Sequence, residues 1–366
     1  MKIEIINDIP FIEQVCLDNI TKKHNTPIYI YSQKIITETY KALNENLLSE
    51  IFYSVKANSN QAILKLMKNL GAGADVVSRG ELQRSIEAGF NPNKIIYEGL
   101  GKSSSDIEYA VGQSIRLINI ESISELFLIN QIGKNVNKKI NIGVRLNPNI
   151  DGKTLDKIST GKKNSKFGID INELPNLIEI IHSLDNINLI GISCHIGSQI
   201  NELSIFEEVF NAMKKAAEIA ISKSIRIHHV DLGGGLSVNY NAEDGELDIK
   251  AIGKLVTSIF DKVDYKISFE PGRYLVAKSG VIITKILTTK KNGDINYLIA
   301  DAGMQTLIRP ALYNSYHRVE ALNDLDKKEN QYTLAGPICE SSDIIAKHIN
   351  LPKQKINNYI AIHDVG

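Results

Sequence analysis

Cysteine is scarce in this chain of 366 residues, which carries only Cys16, Cys194 and Cys339. An odd, sparse set argues against a disulfide framework and for a reducing, cytoplasmic setting. No CxxC pair occurs, so neither a structural zinc site nor any other metal is expected. Net charge is absent too: 42 Lys and Arg balance 42 Asp and Glu. Nucleic-acid and membrane-surface binders carry a basic excess, so neither partner is expected. Cations at a site here should serve a local anion. No run reaches the roughly 18 apolar residues of a membrane-spanning helix. The opening MKIEIINDIPFIEQ is broken early by acidic and polar residues and lacks the apolar core of a signal peptide.

What is present is a globular composition, 43% hydrophobic and 23% charged. At roughly 100–200 residues per domain the length predicts two domains, although one α/β barrel can absorb about 250. Eight short apolar runs alternate with amphipathic segments between residues 26 and 277. They are IFYSV (51–55), GADVV (73–77), KIIYEG (94–99), SIRLINI (114–120), INIGVRLN (140–147), LIGISCHIG (189–197), IHHVDLG (227–233) and YKISFE (265–270). Most are β-branched and apolar on both faces, as parallel strands covered on both sides should be. Helical patterns such as NQAILKLMKNL and SIFEEVFNAMKKAAEIAISK lie between them. Eight such units predict an α/β fold, a TIM-type (β/α)8 barrel. A doubly wound sheet is the alternative that periodicity leaves open.

After Arg273 the texture changes. GVIITKILTTKKNGDINYLIADAG reads as strand, Asn292-Gly293 turn, strand. TPIYIYS (26–32) reads as a further strand, and ALNDLDKKENQ (321–331) as a solvated loop. The expected division is a barrel over 26–277 and a second, β-rich domain formed by both chain ends, 1–25 and 278–366.

The unusual residues fall at the carboxyl ends of the barrel strands. Lys56 follows IFYSV, His195 ends LIGISCH, Gly233, Gly234 and Gly235 follow IHHVDL, and Glu270 ends YKISF. Those ends converge on one face of a barrel. Each has a bland explanation. A lysine after a strand is ordinarily a solvated charge, a single histidine is ordinarily hydrogen-bonded in a core, and three glycines suit a tight turn as well as an anion. Glu270-Pro271-Gly272-Arg273 could be a surface turn with a salt bridge. Their shared placement is what points to a site.

In order along the chain stand FYSVKANSN (52–60), GADVVSRGEL (73–82), STGKKNSKFG (159–168), CHIGSQI (194–200), DLGGGL (231–236), EPGRYLVA (270–277), DAGMQTLIRPALY (301–313) and GPICESSD (336–343). On these motifs the chain resembles the fold-type III pyridoxal-phosphate decarboxylases, and within them the diaminopimelate decarboxylases. The resemblance implies that pyridoxal 5'-phosphate is the cofactor. Lys56 would bind its aldehyde, which needs an amine with some neutral fraction; burial and neighbouring cations can provide that. Glu270 would face the pyridine nitrogen as an ionised carboxylate and His195 would stack on the ring. Gly233, Gly234, Gly235, Gly272, Arg273 and the Ser198 hydroxyl would hold the phosphate. Asp75 would lie beneath the cofactor. Arg309 and Tyr313, assisted by Arg273, would grip the substrate's far carboxylate. Cys339 would return a proton and Glu340 would bind the distal ammonium, both supplied by the partner in a homodimer. The bland explanation for Cys339 is a buried thiol, and Cys194 and Cys16 keep it. The reaction implied is decarboxylation of meso-diaminopimelate at its D centre to L-lysine.

One departure stands out. The resemblance implies that IAIHDVG, ending at Gly366, continues through Ala-Tyr into further strands, with about 50 more residues expected. Exposed strand edges would result, and a fragment is the favoured explanation over a true truncation. The alternatives are a sibling decarboxylase of arginine, ornithine, lysine or carboxynorspermidine, a catalytically dead cofactor-binding relative, and a racemase. Arg309 and Tyr313 favour a substrate with a distal carboxylate. Lys56 and Cys339 weigh against a dead relative, and a racemase would need two opposed proton donors.

Overall fold

A computed structural model describes residues 1–7, 9–153, 160–161, 164–241 and 245–366. Ser159, Lys162 and Lys163 of the STGKKNSKFG motif lie outside the described residues. The chain divides into two compact units. One comprises Thr37–Val238 and Glu246–Leu275, the other Met1–Ile36, Asn239–Gly245 and Val276–Gly366.

The first unit is a closed barrel. Its eight strands are Glu50–Ser54, Gly73–Val76, Ile95–Tyr97, Leu117–Ile120, Ile140–Asn147, Ile187–Cys194, His229–Asp231 and Lys266–Phe269. Each pairs in parallel with the next, and the eighth returns to the first through Ser268 opposite Glu50 and Phe269 opposite Ile51. Closure excludes the doubly wound sheet, which would leave two edges. The strands are short, apolar and almost wholly buried, because the interior and the helices cover both faces. The eight expected runs each overlap a barrel strand, but the ends differ. IFYSV stops at Ser54, where the backbone turns into a 3-10 helix over Val55–Ala57 that carries Lys56.

Local signals start and stop the helices. Helix Gln61–Leu70 begins at Asn60, whose side chain accepts from the Ala62 N–H, and ends at left-handed Gly71. It buries Ile63, Leu64 and Met67. Helix Leu203–Ser222 buries Ile205, Phe206, Val209, Phe210, Met213, Ala216, Ala217 and Ala220, a single stripe at the helical period. Each large apolar side chain so buried contributes about 1.5–3 kcal/mol.

The second unit is β-rich. Its largest sheet runs in the order Val319–Ala321, Tyr359–His363, Gly280–Asn292, Ile295–Ala300, Glu329–Ala335 and Ile344–Pro352. The strand Ile28–Tyr31 also pairs with Gly280–Asn292, antiparallel, so both chain ends contribute to this sheet. A three-stranded sheet, Ile3–Ile6, Ile9–Ile12 and Val15–Cys16, stands beside helix Leu17–Lys23 in sequence. The hairpin exists with its turn one residue later than Asn-Gly suggests. Asn292 pairs with Ile295, so Gly293 and Asp294 make the turn, and Gly293 takes φ +56 as the first central residue. The polar run 321–331 is loop only in its middle: Ala321 ends one strand and Glu329 begins another.

Helix Ile249–Ile259 contains Gly253, and a Cβ there would lie 2.0 Å from the Asn46 carbonyl oxygen. Alanine ordinarily stabilises a helix interior by about 1 kcal/mol over glycine. Here Gly253→Ala is expected to destabilise by about 1–3 kcal/mol, because backbone must move to admit the methyl. Urea unfolding checks the sign.

Candidate active site at the mouth of the barrel

The barrel sets its polar residues at the carboxyl ends of the strands. Lys56 sits just past the first strand, its side chain about half exposed, with Nζ 3.6 Å from Asp75 Oδ2 on the second strand. Asp75 is fully buried, and Ser54 Oγ donates to its Oδ2 at 2.6 Å. Ser54 Oγ also lies 3.0 Å from the Glu270 carbonyl oxygen, which links the first strand to the residue after the eighth. Burial lowers the proton affinity of Lys56, but Asp75 and Glu270 outweigh it and hold the amine above its ordinary range. This corrects the expectation that burial and cations would leave Lys56 partly neutral. Arg145 does push it down, but the carboxylates prevail.

Glu270 is buried, and its Oε1 has no hydrogen-bond partner. Burial, then Asp231, Asp75 and Glu98, raise its carboxyl well above the usual range, with Lys56 opposing. Alone, the site therefore shifts Glu270 toward the neutral acid, against the ionised carboxylate that was expected. A cation placed against Oε1 would reverse the balance.

His195 follows the sixth strand. Its Nδ1 accepts from the Gly234 N–H at 3.2 Å, and burial with Lys56 and Arg145 nearby holds it well below its ordinary value. It is thus a neutral imidazole with its proton on Nε2. The glycine run makes a close approach possible: a Cβ on Gly234 would lie 2.3 Å from the Glu270 carbonyl oxygen. Two of the three amides are used internally, Gly233 N–H to Asp231 Oδ1 at 2.7 Å and Gly234 N–H to His195. Gly235 instead lines the cavity.

That cavity, of ≈ 260 Å³, is walled by Lys56, His195, Ser198, Gly235, Glu270 and, from the turn after the eighth strand, Gly272 and Arg273. A wider hollow of ≈ 700 Å³ lies at the other end of the strands, around Glu50, Gly73 and Lys266. Those three residues begin their strands, and the hollow holds none of the expected site residues. The smaller cavity, at the carboxyl ends, is the better candidate. Its residues suit pyridoxal phosphate. Glu270 Oε1 and Asp75 Oδ1 are buried oxygens with no hydrogen-bond partner, a neutral ring stands on the wall, and Arg273 with Ser198 and Gly235 can serve an anion.

The remaining expected residues belong to the β-rich unit. Arg309 and Tyr313 open and close the helix Arg309–Tyr313. Arg309 Nη1 donates to His317 Nε2 at 3.0 Å and its guanidinium lies 4.6 Å from the Tyr240 ring centroid. Cys339 is an exposed free thiol, against its bland reading as a buried one, whereas Cys194 is buried. Glu340 is exposed, and the Ser342 hydroxyl and N–H hold its carboxyl below the usual range.

Polar residues on the strands or just past them went unread in the sequence. Glu98, Asn119, Glu121, Arg145, Ser193 and Asp231 are all buried in the barrel unit. Arg145 in INIGVRLN carried a usable signal: a charge inside a run otherwise fit for a wholly buried strand needs a buried partner.

Comparison with known proteins agrees. The family described as pyridoxal-dependent decarboxylase, pyridoxal binding domain, matches residues 33–277. The diaminopimelate decarboxylase of Aquifex aeolicus is 37% identical over 357 residues, 97% of this chain and 85% of that protein. The chain belongs to the pyridoxal-dependent decarboxylases, among the diaminopimelate decarboxylases. The crystal structure of the Helicobacter pylori diaminopimelate decarboxylase complexed with L-lysine superimposes with a TM-score of 0.92 at 35% identity, covering 96% of this chain and 88% of that one. The enzyme of M. jannaschii in co-complex with L-lysine gives 0.93 at 33% identity, covering 100% and 87%. Among the described residues no helix is long and apolar enough to cross a membrane.

Gly234→Ala is expected to push the Glu270 backbone aside and weaken pyridoxal-phosphate binding about tenfold or more, since the residue expected to face the ring moves with it. Fluorescence titration of the cofactor-free protein measures this.

Proposed function

We propose that this decarboxylase removes the carboxylate at the D centre of meso-diaminopimelate, releasing carbon dioxide and L-lysine, the last step of lysine biosynthesis. The observation that carries the proposal is the meeting of Lys56, His195 and Glu270 around one cavity, with Asp75 3.6 Å from the Lys56 amine. The names of the similar proteins, and L-lysine in two of the similar structures, support this substrate over arginine or ornithine.

Bound pyridoxal phosphate supplies an aldehyde and a protonated ring that accepts electrons as a bond at the substrate's α-carbon breaks. Every other task falls to the chain. Lys56 would hold the aldehyde through its amine, which Asp75 keeps in place. Glu270, with its unpaired Oε1, would serve the ring nitrogen. His195, neutral, would stack on the ring without adding charge. Gly233, Gly234, Gly235, Ser198, Gly272 and Arg273 form the phosphate site. Gly235 offers its amide, and the other two glycines shape the turn. Arg309 and Tyr313, with Arg273, receive the distal carboxylate.

Cys339 returns the proton to the α-carbon and Glu340 binds the distal ammonium, both reaching the site of a second copy of the chain. Their exposure supports that role. The cofactor-binding unit is the barrel expected over 26–277, with residues 26–36 falling instead to the β-rich unit built from the two chain ends. Three free cysteines support a cytoplasmic setting.

Lys56→Ala is expected to lose the cofactor's protein-bound visible absorbance and to cut carbon dioxide release by about 10³-fold or more. Full turnover with an unchanged spectrum would refute the role of Lys56. Arg309→Ala is expected to raise KM for diaminopimelate by about 10–100-fold, the loss of a charged hydrogen-bonded pair. Its visible spectrum should not change. Mixing inactive Lys56→Ala and Cys339→Ala proteins through unfolding and refolding should restore about a quarter of wild-type activity, because half the dimers then hold one intact site of two. No recovery would show that each chain builds its own site.

A further inference from the structure

Glu98 follows the third barrel strand and is 3% exposed. Its backbone N–H donates to the Val76 carbonyl at 2.8 Å, which roots it in the barrel wall. Oε1 accepts from Asn119 Nδ2 and from Ser193 Oγ, the latter at 3.0 Å. Oε2 has no hydrogen-bond partner. Arg145 Nη1 lies 4.0 Å from Oε2 and 3.2 Å from Glu121 Oε1.

A buried carboxylate shares its charge between both oxygens and calls for donors on both. A carboxylic acid is unequal, with one accepting carbonyl oxygen and one hydroxyl. Glu98 shows the second pattern. The charge around it agrees. Arg145 comes from the fifth strand, Asp75 from the second, Glu121 from the end of the fourth and Lys102 from the loop after the third. Lys56 and Glu270 also feel it from the cavity. Lys102 is already occupied by Glu125 at 2.8 Å. Burial outweighs Arg145, and Asp75 and Glu121 add to burial, so the carboxyl is pushed up to about 7.

We propose that Glu98 is a positioning residue that stores a proton in the barrel interior and so leaves the Arg145 guanidinium to Glu121. Through its other oxygen Glu121 accepts from the Gly168 N–H at 2.9 Å, and Arg145 lies 5.0 Å from the Phe167 ring centroid. The guanidinium and Glu121 thus tie Phe167 and Gly168 to the barrel wall. When Glu98 loses its proton, a second anion competes for Arg145 and that grip loosens. Arg145 also opposes protonation of Lys56 and His195. A guanidinium drawn to an ionised Glu98 bears less on both, so the stored proton favours the neutral Lys56 amine. This goes beyond the proposed reaction and does not depend on which amino acid is the substrate.

Infrared difference spectra of the pyridoxal-phosphate-loaded enzyme, wild type against Glu98→Gln, test the proposal. Glutamine keeps the acceptor toward Asn119 and Ser193 and cannot ionise. Wild type is expected to show a protonated-carboxyl band at acid pH that Glu98→Gln lacks, and to lose it as pH rises through about 7. Ser193→Ala, which removes a donor to Oε1, should move that loss to higher pH. Amide exchange at Gly168 should quicken across the transition by about threefold or more in wild type relative to Glu98→Gln. Identical carboxyl bands in wild type and Glu98→Gln overturn the proposal, as does Gly168 exchange that is the same in both at every pH. Should Glu98→Gln not fold, Ser193→Ala decides alone: a carboxyl titration unmoved from wild type overturns it.

Discussion

The pairing of the eighth barrel strand with the first is the contact on which the site depends. Ser268 opposite Glu50 and Phe269 opposite Ile51 join segments more than two hundred residues apart. Without that closure, the residue after the eighth strand and the lysine after the first have no reason to meet. With it, Ser54 spans Asp75 Oδ2 and the Glu270 carbonyl, and Lys56 Nζ stands 3.6 Å from Asp75. The parallel arrangement matters equally. It sends every strand's carboxyl end to the same face, so loops with nothing in common in sequence share one cavity.

Such convergence has an electrostatic cost. Asp75, Glu98, Glu121, Asp231 and Glu270 are buried together, and they outnumber the cations Lys56, Lys102 and Arg145. The barrel meets this in three ways. Hydrogen bonds hold some carboxyls, as Ser54 does for Asp75 and Ser268 for Asp231. Burial shifts others toward the protonated form, as it does for Glu270. A protonated cofactor ring can supply the charge that the chain lacks. The unpaired Oε1 of Glu270 makes sense on that account, since a buried acceptor without a donor is costly until its ligand arrives.

Much of this was legible from residue order. Lys56, Glu270 and the glycines could be placed at strand ends because strands read clearly as short β-branched runs. What could not be read was how neighbours alter each group. Lys56 was expected to carry some neutral fraction, yet Asp75 and Glu270 favour its proton. The glycine amides were all expected to face an anion, yet Gly233 and Gly234 turn theirs to Asp231 and His195. The partners within the buried ladder of Glu98, Asn119, Arg145 and Ser193 were invisible for the same reason. Each is one polar letter in an apolar run, and partners on other strands give it meaning.

The sequence by itself pointed to an α/β barrel through apolar periodicity, and its ordered motifs implied, by resemblance, the cofactor family and the candidate reactive side chains. The first is a local pattern of short apolar runs, the second a set of short motifs in a fixed order. Only the tertiary structure decided protonation, register and partnership. It moved the hairpin turn from Asn292-Gly293 to Gly293-Asp294, and gave His195 its neutral tautomer. Charge states follow from burial and from distances of a few ångströms between residues far apart in the chain, and those distances exist only once the barrel has closed.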